Sequence, residues 1–554
     1  MEAYLWIFLA LILALCIYSI SYRKKQEKAR LEQLKLNFGK PDANKLTHEH
    51  LQKLEEAAAV FGQNIDSGLI NDMNMNEVFE HLDQSISSIG EEYFYFSLRN
   101  ISKDAKTINK RQRLFTQISE KSDDEGIAKL RYRLSSIEKH EKITTYECMN
   151  NLKSAPVDST AFHIICLALF IISVLSMFII PKFGLPAVFI IACFNCVTYI
   201  KRKGVIAEYD GAVTSLISWL NALPEVINTD INSEELNDIF GKIGVLLKNF
   251  DSVNKMAWLL SPKSVVASIV EIFMDYIKFL THIDLIKFNM SVKCLKGHEE
   301  ELNELYVLTG EIELAIISIG ISRFSQSFCQ AIIEDNSDKA MTRLSMKGMS
   351  HPLLANSVEN DCITEKPILI TGSNASGKST YLRMIGINMI FAETLGFAFC
   401  REYRAGLFEI RSSMTITDDI ACGDSFYLAE IKRIKEILDY SSKDIPMVVL
   451  VDEILRGTNT LERVAASTEI LRYLESRNVI VIAATHDIEL TQELKNIYDC
   501  YYFTEEIDNI DNDRNIFDYK IYKGTSYNRN AIKLLERYGY PKEIVEKSYE
   551  AVNK

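Results

Sequence analysis

Apolar residues fall into three textures along this chain, and each predicts a different kind of element. Tyr4 to Ile20 reads YLWIFLALILALCIYSI, and Ala161 to Ile180 and Leu185 to Ile200 repeat that nearly unbroken apolar character. Runs of this length suit membrane-spanning helices, the first lying near the lower limit. Only Pro181-Lys182-Phe183-Gly184 separates the second run from the third, so the two predict a helical hairpin. Over 23–155 and 205–345 the apolar positions recur three and four apart, as in His50-Leu51-x-x-Leu54, Val213 to Leu223 and Glu300 to Ile319. That spacing predicts helices with one buried face. From Pro367 short β-branched runs take over, ILIT at 368–371, MVVLVDE at 447–453 and VIVIAATH at 479–486, with helical stretches between them. Apolar strands alternating with helices predict a parallel sheet covered on both faces.

The expected organisation is therefore an anchor at 1–22, a helical region at 23–155, the hairpin at 161–200, a second helical core or lever region at 205–345, and an α/β domain at 346–554. Ten prolines and 23 glycines in 554 residues agree with long helices and few turns. A formal net charge of −13 excludes a protein that coats nucleic acid by bulk attraction, so any such contact must be local. Arg23-Lys24-Lys25 and Lys201-Arg202-Lys203 follow the first and third apolar runs. By the positive-inside rule both clusters are cytoplasmic, which predicts a multi-pass protein of the inner membrane with its α/β domain in the cytoplasm. A cleaved signal would carry its positive charges before the apolar run, where only Glu2 stands, so an uncleaved anchor fits better. The alternative for the hairpin, a pair of buried core helices, is the weaker reading for runs this apolar. Eleven cysteines are scattered, and Cys193-x-x-Cys196 lies within an apolar run without a nearby histidine, which favours plain helix residues over a metal or redox site.

Candidate chemistry gathers at the ends of the β-branched runs. After the first comes TGSNASGKST, in which Gly372 and Gly377-Lys378-Ser379 match the phosphate-binding loop G-x-x-x-x-G-K-[ST]. Glycines let such a loop curl its N–H groups around phosphate, and a following helix adds the positive end of its dipole. The candidate ATP-binding residues are Gly372, Ser373, Asn374, Ala375, Ser376, Gly377, Lys378, Ser379 and Thr380. Lys378 would hold the β- and γ-phosphates, and the Ser379 hydroxyl is a candidate Mg²⁺ ligand. The second run ends in Asp452-Glu453, with Asp452 expected on the metal and Glu453 on the attacking water. The third ends in Ala484-Thr485-His486-Asp487, where His486 is a candidate γ-phosphate sensor. A lone histidine after a strand is more often a satisfied surface residue, but three strand ends in one crevice is the usual ligand geometry of open α/β sheets.

These residues resemble a known family. TGSNASGKSTYLRM (371–384), TDDIACGDSFYLAEI (417–431), VLVDEILRGTNTLERVAAS (449–467) and ATHDIEL (484–490) look like successive motifs of the MutS ATPase domain, and 522–548 resembles its tail. More weakly, 91–118 is similar to the start of that family's helical core and lever region. The resemblance implies an ABC-like α/β P-loop ATPase joined to an all-α lever region and three transmembrane helices. It implies Mg-ATP at composite sites of a homodimer, with Asn374 on the phosphates, Gly423 and Ser425 reaching the neighbouring subunit's γ-phosphate, Arg456 to Thr460 at the interface, and Tyr519 near the adenine. Ser357 falls where an aromatic platform is expected, and Asp424 adds negative charge to the signature segment. A mismatch-reading domain with a Phe-x-Glu wedge is not visible, so mismatch recognition is not implied.

The leading reading is a membrane-anchored MutS-like ATPase whose partners are a second copy and the lipid bilayer, with no small-molecule substrate other than ATP. DNA binding enters only through the resemblance. Lys106, Lys110, Arg111 and Arg113 could meet phosphates, although a solvated or lipid-facing surface is the commoner role of such a run. An ATP-driven transporter and an ATP-gated membrane scaffold are the alternatives. The transporter signature Leu-Ser-Gly-Gly-Gln is absent.

Overall fold

The computed structural model describes the chain apart from residues 1–17, 19–20, 23, 42–45, 138, 140–142, 230, 232, 252–275, 335–342, 374–375, 415–425, 444, 478, 506–516, 526–531, 533–534, 537–538 and 553–554. Nearly all of the first apolar run therefore lies outside the described residues.

Helices build the described residues up to Phe324, and many start on a residue made for the task. Thr47, Asp66, Ser87, Asp104, Asp123, Thr144 and Ser233 each accept an N–H from the first turn that follows. Such caps satisfy donors that have no partner inside the helix. The helices Ser88–Ser97 and Glu299–Phe324 form the centre, and every residue of the first is buried. Gly310 permits the close approach, since a Cβ there would lie 2.3 Å from the Tyr93 ring.

The hairpin consists of Thr160–Ile179 and Pro181–Ile227, joined at Ile180. The expected four-residue turn is thus shorter than the sequence suggested: Pro181 to Gly184 form the first turn of the second helix. Proline is tolerated there because the first helical N–H has no partner to lose. Gly184 sits against Met177, where a Cβ would lie 2.4 Å from its backbone. The second helix has 47 residues and continues past Lys201 into the helical region, where Val213, Leu216, Trp219, Leu220 and Leu223 are buried. Polar partners mark the hairpin's foot. Asn195 donates to the Leu280 carbonyl at 2.7 Å, Tyr199 to Asp284 at 2.7 Å, and Arg202 pairs with Asp158 at 3.0 Å.

Two mixed sheets follow. One has the order β3-β2-β6-β1-β5, with β1 Cys329–Ile333, β2 Leu344–Met349, β3 Asn360–Thr364, β5 Phe397–Ala398 and β6 Glu402–Ala405. This mostly antiparallel sheet was not anticipated: its strands are short and lack the β-branched runs of the other. The second sheet has the order β11-β10-β4-β9-β8-β7, with β4 Ile368–Thr371, β7 Glu409–Ser413, β8 Met447–Asp452, β9 Val479–Thr485, β10 Asp499–Glu505 and β11 Phe517–Lys523. Its strands pair in parallel except β11, which is antiparallel to β10. A single apolar core runs from the N-terminal helices to one face of this sheet, and a second cluster covers the other face.

Candidate functional site

Strands β4, β9 and β8 are neighbours, and their register sets Thr371 opposite Thr485 and Asp452 opposite Ala484. Their carboxyl ends are level, so the groups that follow them share one crevice. From β4 the chain passes Gly372 and Gly377, at φ 154° and 105°, into the helix Lys378–Thr394. Space as well as torsion calls for glycine here. A Cβ on Gly372 would lie 2.8 Å from Ser376 Oγ, and one on Gly377 3.2 Å from the Tyr519 ring. The Lys378 ammonium folds back to donate to the carbonyls of Gly372 and Ser373, at 2.7 and 2.6 Å. The Ser376 hydroxyl is buried without a hydrogen-bond partner. Ser379 Oγ donates to the Asp452 carboxylate at 2.5 Å. Asn374, Ala375, Gly423 and Ser425 lie outside the described residues.

Strand β8 ends under strain. Glu453 and Leu455 have φ of 60° and 58°, a left-handed conformation that costs a side-chain-bearing residue on the order of 1–3 kcal/mol. Two contacts hold it: Glu453 N–H donates to the Ala484 carbonyl at 2.9 Å, and Leu455 N–H to the buried Glu430 carboxylate at 2.5 Å. The turn swings the Glu453 carboxylate toward β9, where it lies 2.9 Å from His486 Nδ1 and 3.2 Å from Arg456 Nε. The hydrogen bond to His486 holds the Glu453 carboxyl below its usual range and raises the imidazole of His486. The shared hydrogen bond thus favours the charged form of each group. Arg456 also reaches Asp452, at 3.3 Å, so within one chain it bridges both carboxylates.

Beside the loop lies a cavity of about 390 Å³, lined by Ser357, Asn360, Gly377, Thr380, Tyr381 and Tyr519 among others. Tyr519 is itself left-handed, at φ 55°, and Asn360 holds it by donating to its carbonyl at 2.9 Å while accepting from Ile521 N–H at 3.0 Å. Thr380 and Tyr519 thus meet in a pocket that opens on the phosphate loop, with Ser357 on its wall.

Sequence reasoning missed Glu430, Asn360 and the bidentate Arg463–Asp487 pair at 2.8 and 2.9 Å. Glu430, Arg463 and Asp487 fall within the stretches quoted above, but nothing in their spacing assigns them a role, and Asn360 falls in none. Arg456 had a signal: it stands three and four residues from Glu453 and Asp452 in a turn. The basic run of the helix Ala105–Lys121 needs correction. Arg111 is not a surface residue facing phosphate; it forms a bifurcated pair with Glu311 and donates to the Thr394 carbonyl, and Arg113 pairs with Glu235 at 2.6 Å.

A glycine-framed loop between a central parallel strand and a buried lysine-led helix, with an acidic pair two strands away, defines a P-loop α/β domain. Residues 368–554 match the family model of MutS domain V, so this part of the chain is a domain of the MutS type. It is similar to the DNA mismatch repair protein MutS of Thermotoga maritima, 28% identical over 272 residues, which is 47% of this chain and 32% of the relative. The protein of the same name from Methanococcoides burtonii is 25% identical over 272 residues, covering 47% of this chain and 30% of the relative. That of Petrotoga mobilis is 33% identical over 193 residues, or 34% and 23%. The chain thus spans about a third or less of the length of these curated relatives.

Proposed function

We propose that this chain is a membrane-held MutS-type ATPase that binds Mg-ATP and hydrolyses it at sites completed by a second copy. One observation carries the reading. Ser379 and Asp452, 73 residues apart, meet at hydrogen-bond distance beside a lysine folded onto its own loop, with the Glu453 carboxylate one residue further on. A hydroxyl and a carboxylate so placed fit a hard divalent cation through oxygen ligands. Mg²⁺ bound there would neutralise charge on the phosphates.

The chain's own residues supply the rest. Lys378 exchanges the loop carbonyls for phosphate oxygens, and the loop amides and helix N-terminus bind the triphosphate. The base enters the cavity at Tyr519. Glu453 orients a water and takes its proton as the water oxygen bonds to the γ-phosphorus, while the bond to the β-phosphate oxygen breaks and ADP leaves. His486, hydrogen-bonded to Glu453, holds that carboxylate in place and stands ready to donate to the γ-phosphate.

Membrane attachment is supported by the hairpin, whose Phe178, Ile179, Phe183, Phe189 and Val197 are each about 70% exposed or more. An apolar surface of that extent needs a cover, and the basic cluster at 201–203 supports a cytoplasmic side for the ATPase domain. DNA contact is supported by the relatives' printed name alone.

The test is ATP hydrolysis by the full chain in detergent micelles. The parent is expected to release phosphate in the presence of Mg²⁺, and Lys378→Ala to lose both nucleotide binding and turnover. Equal activity in the two preparations would overturn the assignment. For DNA, retention of duplex on a filter should weaken steeply with salt. No retention at low salt removes DNA from the partners.

A further inference from the structure

Two cysteines meet where the helical region joins the α/β domain. Cys329 opens strand β1, the first element after the helix Glu299–Phe324, and Cys400 follows strand β5, the first after the helix Lys378–Thr394. Strand β1 lies between β5 and β6, antiparallel to the first and parallel to the second. The connection from β5 to β6 therefore crosses the start of β1, and it sets Cys400 against Cys329. Their sulfurs lie 3.5 Å apart. Both thiols are free, with Cys400 buried and Cys329 half-buried. A disulfide holds its sulfurs at about 2 Å, so an approach of about 1.5 Å closes the bond.

The two thiols are not equivalent. The Cys400 S–H donates to Cys329 and holds that thiol below its ordinary range, while the same contact, with burial, pushes Cys400 up. Cys329 is thus the nucleophile that a reagent meets, and Cys400 is the thiol behind it. Cys362, on β3 of the same sheet, is buried and pushed up to about 12 by that burial, which leaves it inert.

Otherwise these strands are joined by hydrogen bonds and ring contacts. Ala331 N–H donates to the Gly396 carbonyl at 2.9 Å, and Ser350 N–H to the Phe399 carbonyl at 2.8 Å. Gln112, on the helix Ala105–Lys121, donates to the carbonyls of Ala331 and Gly396, each at 2.7 Å. The rings of Phe328 and Phe397 stack at 5.2 Å, and Phe115 lies 4.5 Å from Phe397. A covalent bridge at this place would fasten the chain leaving the Glu299–Phe324 helix to the chain leaving the phosphate-loop helix.

We propose that Cys329 and Cys400 form a reversible redox latch, closed by a peroxide and opened by a dithiol, that locks these two helix exits together. The Cys329 thiolate attacks one peroxide oxygen; an S–O bond forms, the O–O bond breaks, and the first water leaves with the thiol's proton. The Cys400 sulfur then bonds to the Cys329 sulfur, and its proton departs with the hydroxyl as the second water. Two thiols lose two electrons and two protons, and the peroxide takes them up. The first step also consumes the thiolate whose contact holds Cys400 high, which frees the second thiol to react. On the cytoplasmic side proposed above, thiols rest reduced, so such a bridge is transient. The latch does not depend on the ATPase reading.

The test treats the full chain in detergent micelles with hydrogen peroxide, blocks the remaining thiols and maps the peptides. A pair of peptides joined through Cys329 and Cys400 is expected, and dithiothreitol should restore both thiols. Hydrogen-exchange protection of the Ala331 and Ser350 amides should rise at least tenfold on oxidation and return on reduction. Cys400→Ser should arrest the reaction at a sulfenic acid on Cys329, trapped by dimedone, and Cys329→Ser should leave Cys400 unmodified. Absence of the bridge in the peroxide-treated parent overturns the proposal, whether or not either variant folds. A bridge that leaves the two amides unchanged overturns the latch, and a dimedone adduct on Cys400 in Cys329→Ser overturns the assignment of the nucleophile.

Discussion

Two groups of carboxylates in this molecule sit in opposite surroundings. At the strand ends, Asp452 and Glu453 border a crevice and are partnered by groups that a ligand can replace: a serine hydroxyl, an imidazole and a half-exposed arginine. In the helical core, Glu92 and Glu313 are buried and Glu311 is largely covered, and their partners come from segments as many as 227 residues away. The first arrangement leaves charge available for chemistry. The second uses charge and hydrogen bonds to decide which helices pack together. Burial of a carboxylate is therefore no sign of a site by itself; what distinguishes the two is whether its partners can leave.

The sharpest way to break the contrast is to remove a partner from the sealed set. Arg111 is held between Glu311, Tyr93 and the end of the phosphate-loop helix, and its side chain is 13% exposed. Glu311→Ala would leave that guanidinium buried and unpaired, at a cost of about 3–5 kcal/mol. The apparent midpoint of thermal unfolding in detergent should fall by several degrees, and nucleotide affinity should fall only to the extent that unfolded chain accumulates. A midpoint unmoved by Glu311→Ala would place this pair among ordinary surface ion pairs.

At the crevice the same kind of removal should spare the fold. Glu453→Gln keeps the shape, and an amide oxygen can still accept from His486. General-base catalysis is worth about a hundredfold or more, so turnover should fall by at least that factor with the unfolding midpoint unchanged. Phosphate release at saturating ATP measures the first and a melting curve the second. An intact rate in this variant would take the proton-accepting role away from Glu453.

The asymmetry also explains what could be read in advance. The placement of the phosphate loop, Asp452, Glu453 and His486 at one sheet edge was legible because its signal is local: fixed spacings, each at the end of an apolar strand. The α/β domain and the hairpin were legible for the same reason, as periodicities within one short window. Glu430 and Asn360 were not, because their work is to hold a left-handed turn whose strain no spacing announces. Arg111 looked like part of a basic surface, since nothing near it in the chain points to Glu311. The helix Glu299–Phe324 makes the point from the other side. Its length and the mean hydropathy of 1.6 of its most apolar window would allow it to cross a membrane, yet that window is 83% buried in the protein, against 17% for each helix of the hairpin. Composition admits both fates, and only the partners that the fold supplies decide between them.

Packing in the sealed region gives a smaller effect. Gly310 faces the Tyr93 ring so closely that a methyl group has no room, and both residues are buried. Gly310→Ala should cost about 1–3 kcal/mol, as overpacking does, against a helix-propensity gain of about 1 kcal/mol. A net loss in the unfolding midpoint is expected. A net gain would mean that Tyr93 moves aside freely, and that the centre is looser than its burial implies.

The last contrast is one of pH, and its sign differs between the two groups. Burial raises Glu92 and Glu313 to about 7 in the folded chain, well above the value near 4.5 of an unfolded carboxyl. Between those values the folded state keeps protons that the unfolded state has released. Stability from these groups is thus greatest below about pH 4.5, declines as pH rises toward 7, and is flat above. The slope is at most about 1.4 kcal/mol per pH unit for each group. Glu453 and Asp66 are held low instead, so their contribution is complete above the unfolded carboxyl range and is lost only as pH falls through it. The windows therefore separate. Thr145 and Tyr146 donate their amides to Glu92, at 2.5 and 3.0 Å, so their hydrogen exchange reports on it directly. After correction for the intrinsic exchange rate, their protection should decline from pH 5 to 7 in the parent and lose much of that slope in Glu92→Gln, with Glu313 supplying what remains. Protection that rises over this interval would mean that the two amides hold Glu92 ionised against its burial, and the helical core would then resemble the crevice rather than oppose it.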